Sequence, residues 1–253
     1  MEIAEHIAHL RRDGVSLFEA AGRAGLDAHV PSCPGWTVRD LVQHQGDVHR
    51  WAAAQLRRNT SEPMSRDERK SWLFSWEHAD DLLAWFREGH EQLATTLEQS
   101  SDDVVAYTFL PAPNARAMWA RRQSHETAIH RVDAELASGP PSGFDAEFAA
   151  DGVDEILYGF ASLPDGTTTD PVRSFSLRAT DIDRRWNVQL APDGVHVTDD
   201  GDAECTISAT ASDLYLLMWN RGALDGLELA GDPAPLSVWR ESSPISWGGP
   251  SKK

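Results

Sequence analysis

Arg121-Arg122-Gln123-Ser124-His125-Glu126-Thr127-Ala128-Ile129-His130-Arg131-Val132-Asp133 is the stretch that decides how this chain is read. It reads as helix, with a carboxylate, Glu126, and an imidazole, His130, four residues apart. That spacing puts both on one helical face, one turn apart, within reach of a single metal ion. Counted at 100° per residue from Glu126, Met118, Trp119, Arg122, Ile129, His130, Val132, Asp133 and Leu136 share its half-turn arc. Gln123, Ser124, Thr127, Ala128, Arg131 and Glu135 fall opposite, on the expected solvent face. Glu126 and His130 therefore lie among apolar residues, where a carboxylate is costly unless it is paired or metal-bound.

A helix further upstream offers a third ligand. His44 lies in one arc with Leu41, Val48 and Trp51 and points inward. His49 sits about 140° away, so a regular helix cannot easily give both to one metal, and His44 is preferred. Three N/O ligands with an open fourth position are the usual protein share of a catalytic zinc site. The spacing alone also permits Glu126 paired with Arg122 or a distant arginine, with His130 merely hydrogen-bonded. His125, Asp133 and Arg122 are candidates for orienting a ligand imidazole or carboxylate.

Outward from this stretch, the chain divides by pattern. Residues up to about 138 read as four amphipathic helices, from about Glu2 to Ala24, from Thr37 to about Arg58, from about Trp76 to Gln99 and from about Ala115 to Ala137. Thr37 is an N-cap with Asp40 standing in for the capping-box acid, whereas Gly14 weakens the continuity of the first helix. Such a set predicts a four-helix bundle whose long connections, about 59–75 and 100–114, rim a site. Ser138-Gly139-Pro140-Pro141-Ser142-Gly143 has linker composition. From 144 to 247 the pattern is α+β. A helix is expected over Asp145–Ala161, strands over Val172–Leu177, Trp186–Leu190, Val195–Val197 and Cys205–Ser208, and a helix from Thr210 through Asn220. The fold class is thus α plus α+β, with domains 1–138 and 144–247.

Composition narrows the function. The net charge of −17 over 253 residues argues against nucleic acid, which needs a basic face, and against anionic membranes. No apolar run approaches the roughly 20 residues of a membrane span. The acidic, amphipathic start, Met1-Glu2-Ile3-Ala4-Glu5-His6, does not read as an export signal. Cys33 and Cys205 form no disulfide framework, and a cytoplasmic location is expected. Cys33 precedes a helix, but an inert thiol is the simpler reading. Core and interhelix packing accounts for most of the ten tryptophans.

Val30-Pro31-Ser32-Cys33-Pro34-Gly35-Trp36-Thr37 followed by Leu41-Val42-Gln43-His44, and Trp119-Ala120-Arg121-Arg122 with His125-Glu126-Thr127-Ala128-Ile129-His130-Arg131, together resemble the two motifs of the mycothiol-dependent maleylpyruvate isomerase family, within the DinB-like metalloprotein superfamily. Asp151-Gly152-Val153-Asp154-Glu155 and Leu217-Met218-Trp219-Asn220-Arg221 resemble its C-terminal, sterol-carrier-like domain. The resemblance implies a metal, zinc or another divalent ion, held by His44, Glu126 and His130. It implies mycothiol as cofactor, with a zinc-bound thiolate attacking an electrophilic small molecule, in an isomerase or an S-transferase. Arg221, and Arg122 one turn from Glu126, are the cations it offers a dicarboxylate substrate. Gln43 and Gln45 stand where family members often carry small or apolar residues. The competing expectation is a non-catalytic DinB-like metal-binding protein carrying a small apolar ligand in its second domain.

Overall fold

The computed structural model of the chain describes residues 1–65, 67–68, 75–78, 80–163, 167–198, 201–222, 224 and 227–242. Its described residues form two compact units, one over Met1–Ser142 and one beginning at Gly143 and reaching at least Ser242. The expected domain end at 247 and part of the connection 59–75 lie outside the described residues.

The first unit is built from four long helices among the described residues, α1 (Ile3–Ala24), α2 (Val38–Arg58), α3 (Leu82–Gln99) and α4 (Ala115–Leu136). The start of α2 is set by a reciprocal cap: Asp40 N donates to Thr37 Oγ1 at 3.3 Å, and Thr37 N donates to Asp40 Oδ2 at 2.8 Å. Asn114 Oδ1 accepts from Ala117 N at 2.8 Å and starts α4. The third helix begins later than its apolar pattern implies. Asp81 Oδ1 accepts from Leu83 N and Ala84 N, capping α3 at Leu82, and a 3-10 turn, Ser75–His78, lies shortly before it. Leu17, Trp36, Leu41, Val42 and Phe86 meet in the core, each contributing on the order of 1.5–3 kcal/mol by burial.

Gly14 does not interrupt α1. A methyl group there would fall 2.1 Å from the ring of His90, so the glycine lets α3 press its imidazole onto the α1 backbone. The expected solvent face of α4 is a larger departure. Gln123, Ser124, Thr127, Ala128, Arg131 and Glu135 are all buried. Three of them meet partners inside the bundle: Ser124 Oγ lies 3.0 Å from His6 Nδ1, Thr127 Oγ1 lies 2.9 Å from His49 Nε2, and Arg131 Nε lies 3.3 Å from Asp13 Oδ1. α4 is therefore buried all round, which a one-sided hydrophobic stripe does not foretell.

The second unit is a small α+β fold. Helix α5 (Ala146–Asp154) runs on through a π-helical turn, Glu155–Phe160. A five-stranded mixed sheet follows, with β1 (Arg173–Ala179), β2 (Arg185–Ala191), β3 (Gly194–Thr198), β4 (Cys205–Ala209) and β5 (Glu228–Gly231) in the order β3-β2-β1-β4-β5. β1 and β4 are parallel, and the other pairs are antiparallel. Helices α6 (Ala211–Met218) and α7 (Ala234–Ser242) complete it. β5 and α7 had no counterpart in the sequence expectations, because four strand residues and a nine-residue helix leave too little periodicity. Aromatic rings fill the interior: Tyr215 meets Phe144, Phe148 and Trp219 edge-on, and Trp239 meets Phe175. Gly152 admits Tyr215, whose ring would stand 2.3 Å from an added Cβ. No helix among the described residues is long and apolar enough to cross a membrane.

Candidate metal centre

The fold brings α2 and α4 together so that His44 and the Glu126/His130 pair face one another. Glu126 Oε1 lies 3.4 Å from His44 Nε2 and 3.3 Å from His130 Nε2, and the three atoms all lie within 4.8 Å of one another. A tetrahedral ion with bonds of about 2.0–2.1 Å separates its ligands by about 3.3–3.4 Å, so the two contacts with the carboxylate already have ligand-to-ligand spacing. Glu126 and His130 are buried, while the His44 side chain remains 19 % exposed. The group thus opens on the His44 side.

The neighbours fix how each group presents itself. His130 Nδ1 lies 2.8 Å from Asp133 Oδ2. A carboxylate only accepts, so Nδ1 carries a proton, and the opposite nitrogen of a neutral ring turns its lone pair toward Glu126 Oε1. Two acceptors then face each other in a buried place, an arrangement that a proton or a cation relieves. Glu126 Oε2 takes an ion pair from Arg122 Nη2 one turn earlier, both side chains being 2 % exposed. Burial works to raise the Glu126 carboxyl, but Arg122 above all, and the two imidazoles whenever they turn an N–H toward it, hold it well below the usual carboxylate range. Burial lowers His44, leaving its imidazole neutral near pH 7. For His130 burial acts downward, but the Asp133 and Glu126 carboxylates outweigh it and raise the imidazole.

The α1–α2 loop closes over this group. Trp36 lies nearly parallel to His130, with ring centroids 6.5 Å apart and planes at 12°, and meets His44 edge-on at 5.2 Å. Ser32 Oγ donates to Asp133 Oδ1 at 2.5 Å, and Cys33 Sγ lies 3.5 Å from Asp133 Oδ2. Ser32 and its contact were invisible to spacing arguments, because Asp133 is a hundred residues away in the chain.

The other sequence candidates fall elsewhere. His49 joins Gln45 and Thr127, with Nε2 at 2.9 Å from Gln45 Nε2 and from Thr127 Oγ1. His125 is buried and meets His6 edge-on, with centroids 5.8 Å apart. Arg122 is buried, 2 % exposed, and bonded to Glu126 one turn later. Arg221 belongs to the second unit, where Nη1 donates to Trp219 O at 3.0 Å. Both cysteines are free thiols, Cys33 half-buried and Cys205 buried.

Comparison with known proteins agrees with this architecture. The sequence profile of the mycothiol maleylpyruvate isomerase N-terminal domain matches residues 7–135, and that of the family's C-terminal domain matches residues 147–237. No curated protein sequence matches. Among solved structures, the mycothiol-dependent maleylpyruvate isomerase superposes with a TM-score of 0.64 at 15 % identity, covering 91 % of this chain and 93 % of that one. A point mutant of that enzyme gives 0.66 at 16 % identity with the same coverage. These structures share the fold of a helical first part and a small mixed-sheet second part. The chain belongs to the mycothiol maleylpyruvate isomerase family.

Proposed function

We propose that this chain is a metal-dependent, thiol-using isomerase acting on an electrophilic small molecule, with His44, Glu126 and His130 as the metal ligands and mycothiol as the thiol cofactor. The observation that carries the metal is the donor set itself: the His44 and His130 imidazole nitrogens lie 3.4 and 3.3 Å from one Glu126 carboxylate oxygen, with the His44 side chain 19 % exposed. Zinc suits two nitrogens and one oxygen in a tetrahedral set with a vacancy. Such an ion supplies Lewis acidity that keeps a thiol in its nucleophilic form near neutral pH.

The chain's own residues do the rest. Arg122 keeps Glu126 ionised and aimed at the centre through Oε2, leaving Oε1 for coordination. Asp133 fixes the proton of His130 on Nδ1, leaving Nε2 as ligand. His44 is neutral and completes the set. Glu126 and Asp133 bring two negative charges and Arg122 one positive. A divalent ion leaves this group with one positive charge, which a single anion neutralises. That balance favours a thiolate over a neutral ligand. Arg221 is the proposed cation for a carboxylate on the substrate.

Support for isomerase over S-transferase comes from family membership together with the maleylpyruvate isomerase fold. The test is direct. Maleylpyruvate offered to the zinc-loaded protein should be isomerised only when mycothiol is added, and the thiol should be recovered unmodified. Equal rates without mycothiol would remove the cofactor, whereas recovery of the thiol as a stable adduct would convert the reading to an S-transferase.

A further inference from the structure

The loop between α1 and α2 carries two donors with no part in the ligand set, and both reach the same buried carboxylate. Ser32 Oγ donates to Asp133 Oδ1 at 2.5 Å, Cys33 Sγ stands 3.5 Å from Oδ2, and Oδ2 in turn accepts from His130 Nδ1 at 2.8 Å. Asp133 is fully buried on α4, while Ser32 and Cys33 sit on a partly exposed loop. The loop holds its own shape through backbone bonds, with Val30 N donating to Trp36 O at 3.0 Å, Cys33 N to Val30 O at 3.1 Å and Trp36 N to Cys33 O at 3.0 Å. Its last aromatic, Trp36, then lies against the rings of both His130 and His44. A loop tied in this way cannot move without disturbing the orientation of a ligand.

We infer that Ser32 is a positioning residue for the metal, acting through Asp133 on His130, so that the conformation of loop 30–37 and the affinity of the centre are coupled. This rests on the assignment of His44, Glu126 and His130 as ligands. The physical reason is one of orientation and basicity. Asp133 both points the His130 ring and strengthens Nε2 as a donor, and a carboxylate that loses a hydrogen-bond partner is free to reorient. Coupling is reciprocal: if the loop sets metal affinity, the metal must in turn steady the loop.

The test measures zinc affinity by competition with a chromophoric chelator in the full-length protein, together with backbone hydrogen exchange of residues 30–37. Asp133→Asn should weaken zinc binding about 10- to 100-fold, the range for an outer partner of a ligand histidine. Ser32→Ala, a change on the loop that leaves the helical core intact, should weaken it about 3- to 10-fold, a loss expected to be smaller because Asp133 remains. Ser32→Thr, which keeps the hydroxyl, should bind close to wild type. In wild type, zinc should slow exchange over 30–37, and in Asp133→Asn that protection should shrink. Zinc binding by Ser32→Ala within twofold of wild type, or equal weakening in Ser32→Thr and Ser32→Ala, would overturn the inference while leaving the centre in place. Wild-type protein that binds no zinc would overturn the ligand assignment itself, and the inference with it.

Discussion

Arg122 and Glu126, four residues apart on α4 and each 2 % exposed, are bonded to each other through Nη2 and Oε2. The pair explains how a carboxylate survives as an anion in the middle of a helix bundle, and why its second oxygen is available to face two histidines. Removing one member of such a buried pair typically costs about 3–5 kcal/mol, because the other charge is left uncompensated. Arg122→Met should therefore destabilise the metal-free protein strongly. Zinc should restore a good part of the loss, since the ion then offsets Glu126. Urea titrations of wild type and variant, each with and without zinc, check this. An Arg122→Met protein as stable as wild type would show that Glu126 is held by something else.

Acid should unfold the first unit through His90. Burial pushes this imidazole down to about 4 from an ordinary value of 6.5. Its folded value lies below its unfolded one, so the unfolded chain binds the proton first. Stability is fully present above pH 6.5 and is lost as the pH falls from 6.5 through 4, by about 3–3.5 kcal/mol in all for a shift of this size. His90→Gln should flatten that part of the stability–pH curve, relative to wild type measured over the same range. An unchanged slope would assign the acid sensitivity to other groups.

The same histidine makes Gly14 indispensable. The Cβ of Gly14→Ala would stand 2.1 Å from His90 Cε1, with Nε2 and Nδ1 of the ring at 2.4 and 2.5 Å. The ring lies across the α1 backbone and cannot simply swing away, as Phe86 and His49 pack beside it. Forcing a methyl group into a filled interior costs typically 1–3 kcal/mol. Thermal denaturation of Gly14→Ala should show a clear fall in midpoint, and a variant that melts with wild type would mean that the α1–α3 contact is looser than it stands here.

Arg221→Ala should leave zinc content unchanged while lowering kcat/KM on a carboxylate substrate at least tenfold, or at least about 1.4 kcal/mol. Arg221→Lys should recover only part of it, because an ammonium does not reproduce a planar two-pronged donor. Kinetics of both variants beside metal analysis decide the point. Full activity in Arg221→Ala would show that the residue takes no part in holding a substrate carboxylate.

Much of this molecule can be read in the chain. The existence of the four long helices, the reciprocal cap of Thr37 and Asp40, and the division into a helical part and a mixed α+β part follow from short-range pattern. The inward turn of His44, Glu126 and His130 follows from helical phase. What periodicity misreads is the rest of α4. Ser124, Thr127 and Arg131 look like a wet face because a one-dimensional pattern equates polar with exposed, yet their partners His6, His49 and Asp13 lie on helices far back in the sequence. The contact between Ser32 and Asp133 joins a loop to a helix across about a hundred residues, and no local rule anticipates it. Gly14 reads as a weak point in the first helix until the ring that it accommodates is known.

Metal content of the purified full-length protein tests the central claim most directly. Wild type should carry close to one zinc or similar divalent ion per chain, and His44→Ala and Glu126→Gln should each lose most of it while keeping the wild-type helical circular dichroism. Folded wild-type protein that binds no metal even after incubation with zinc, or both variants retaining it in full, would contradict the account.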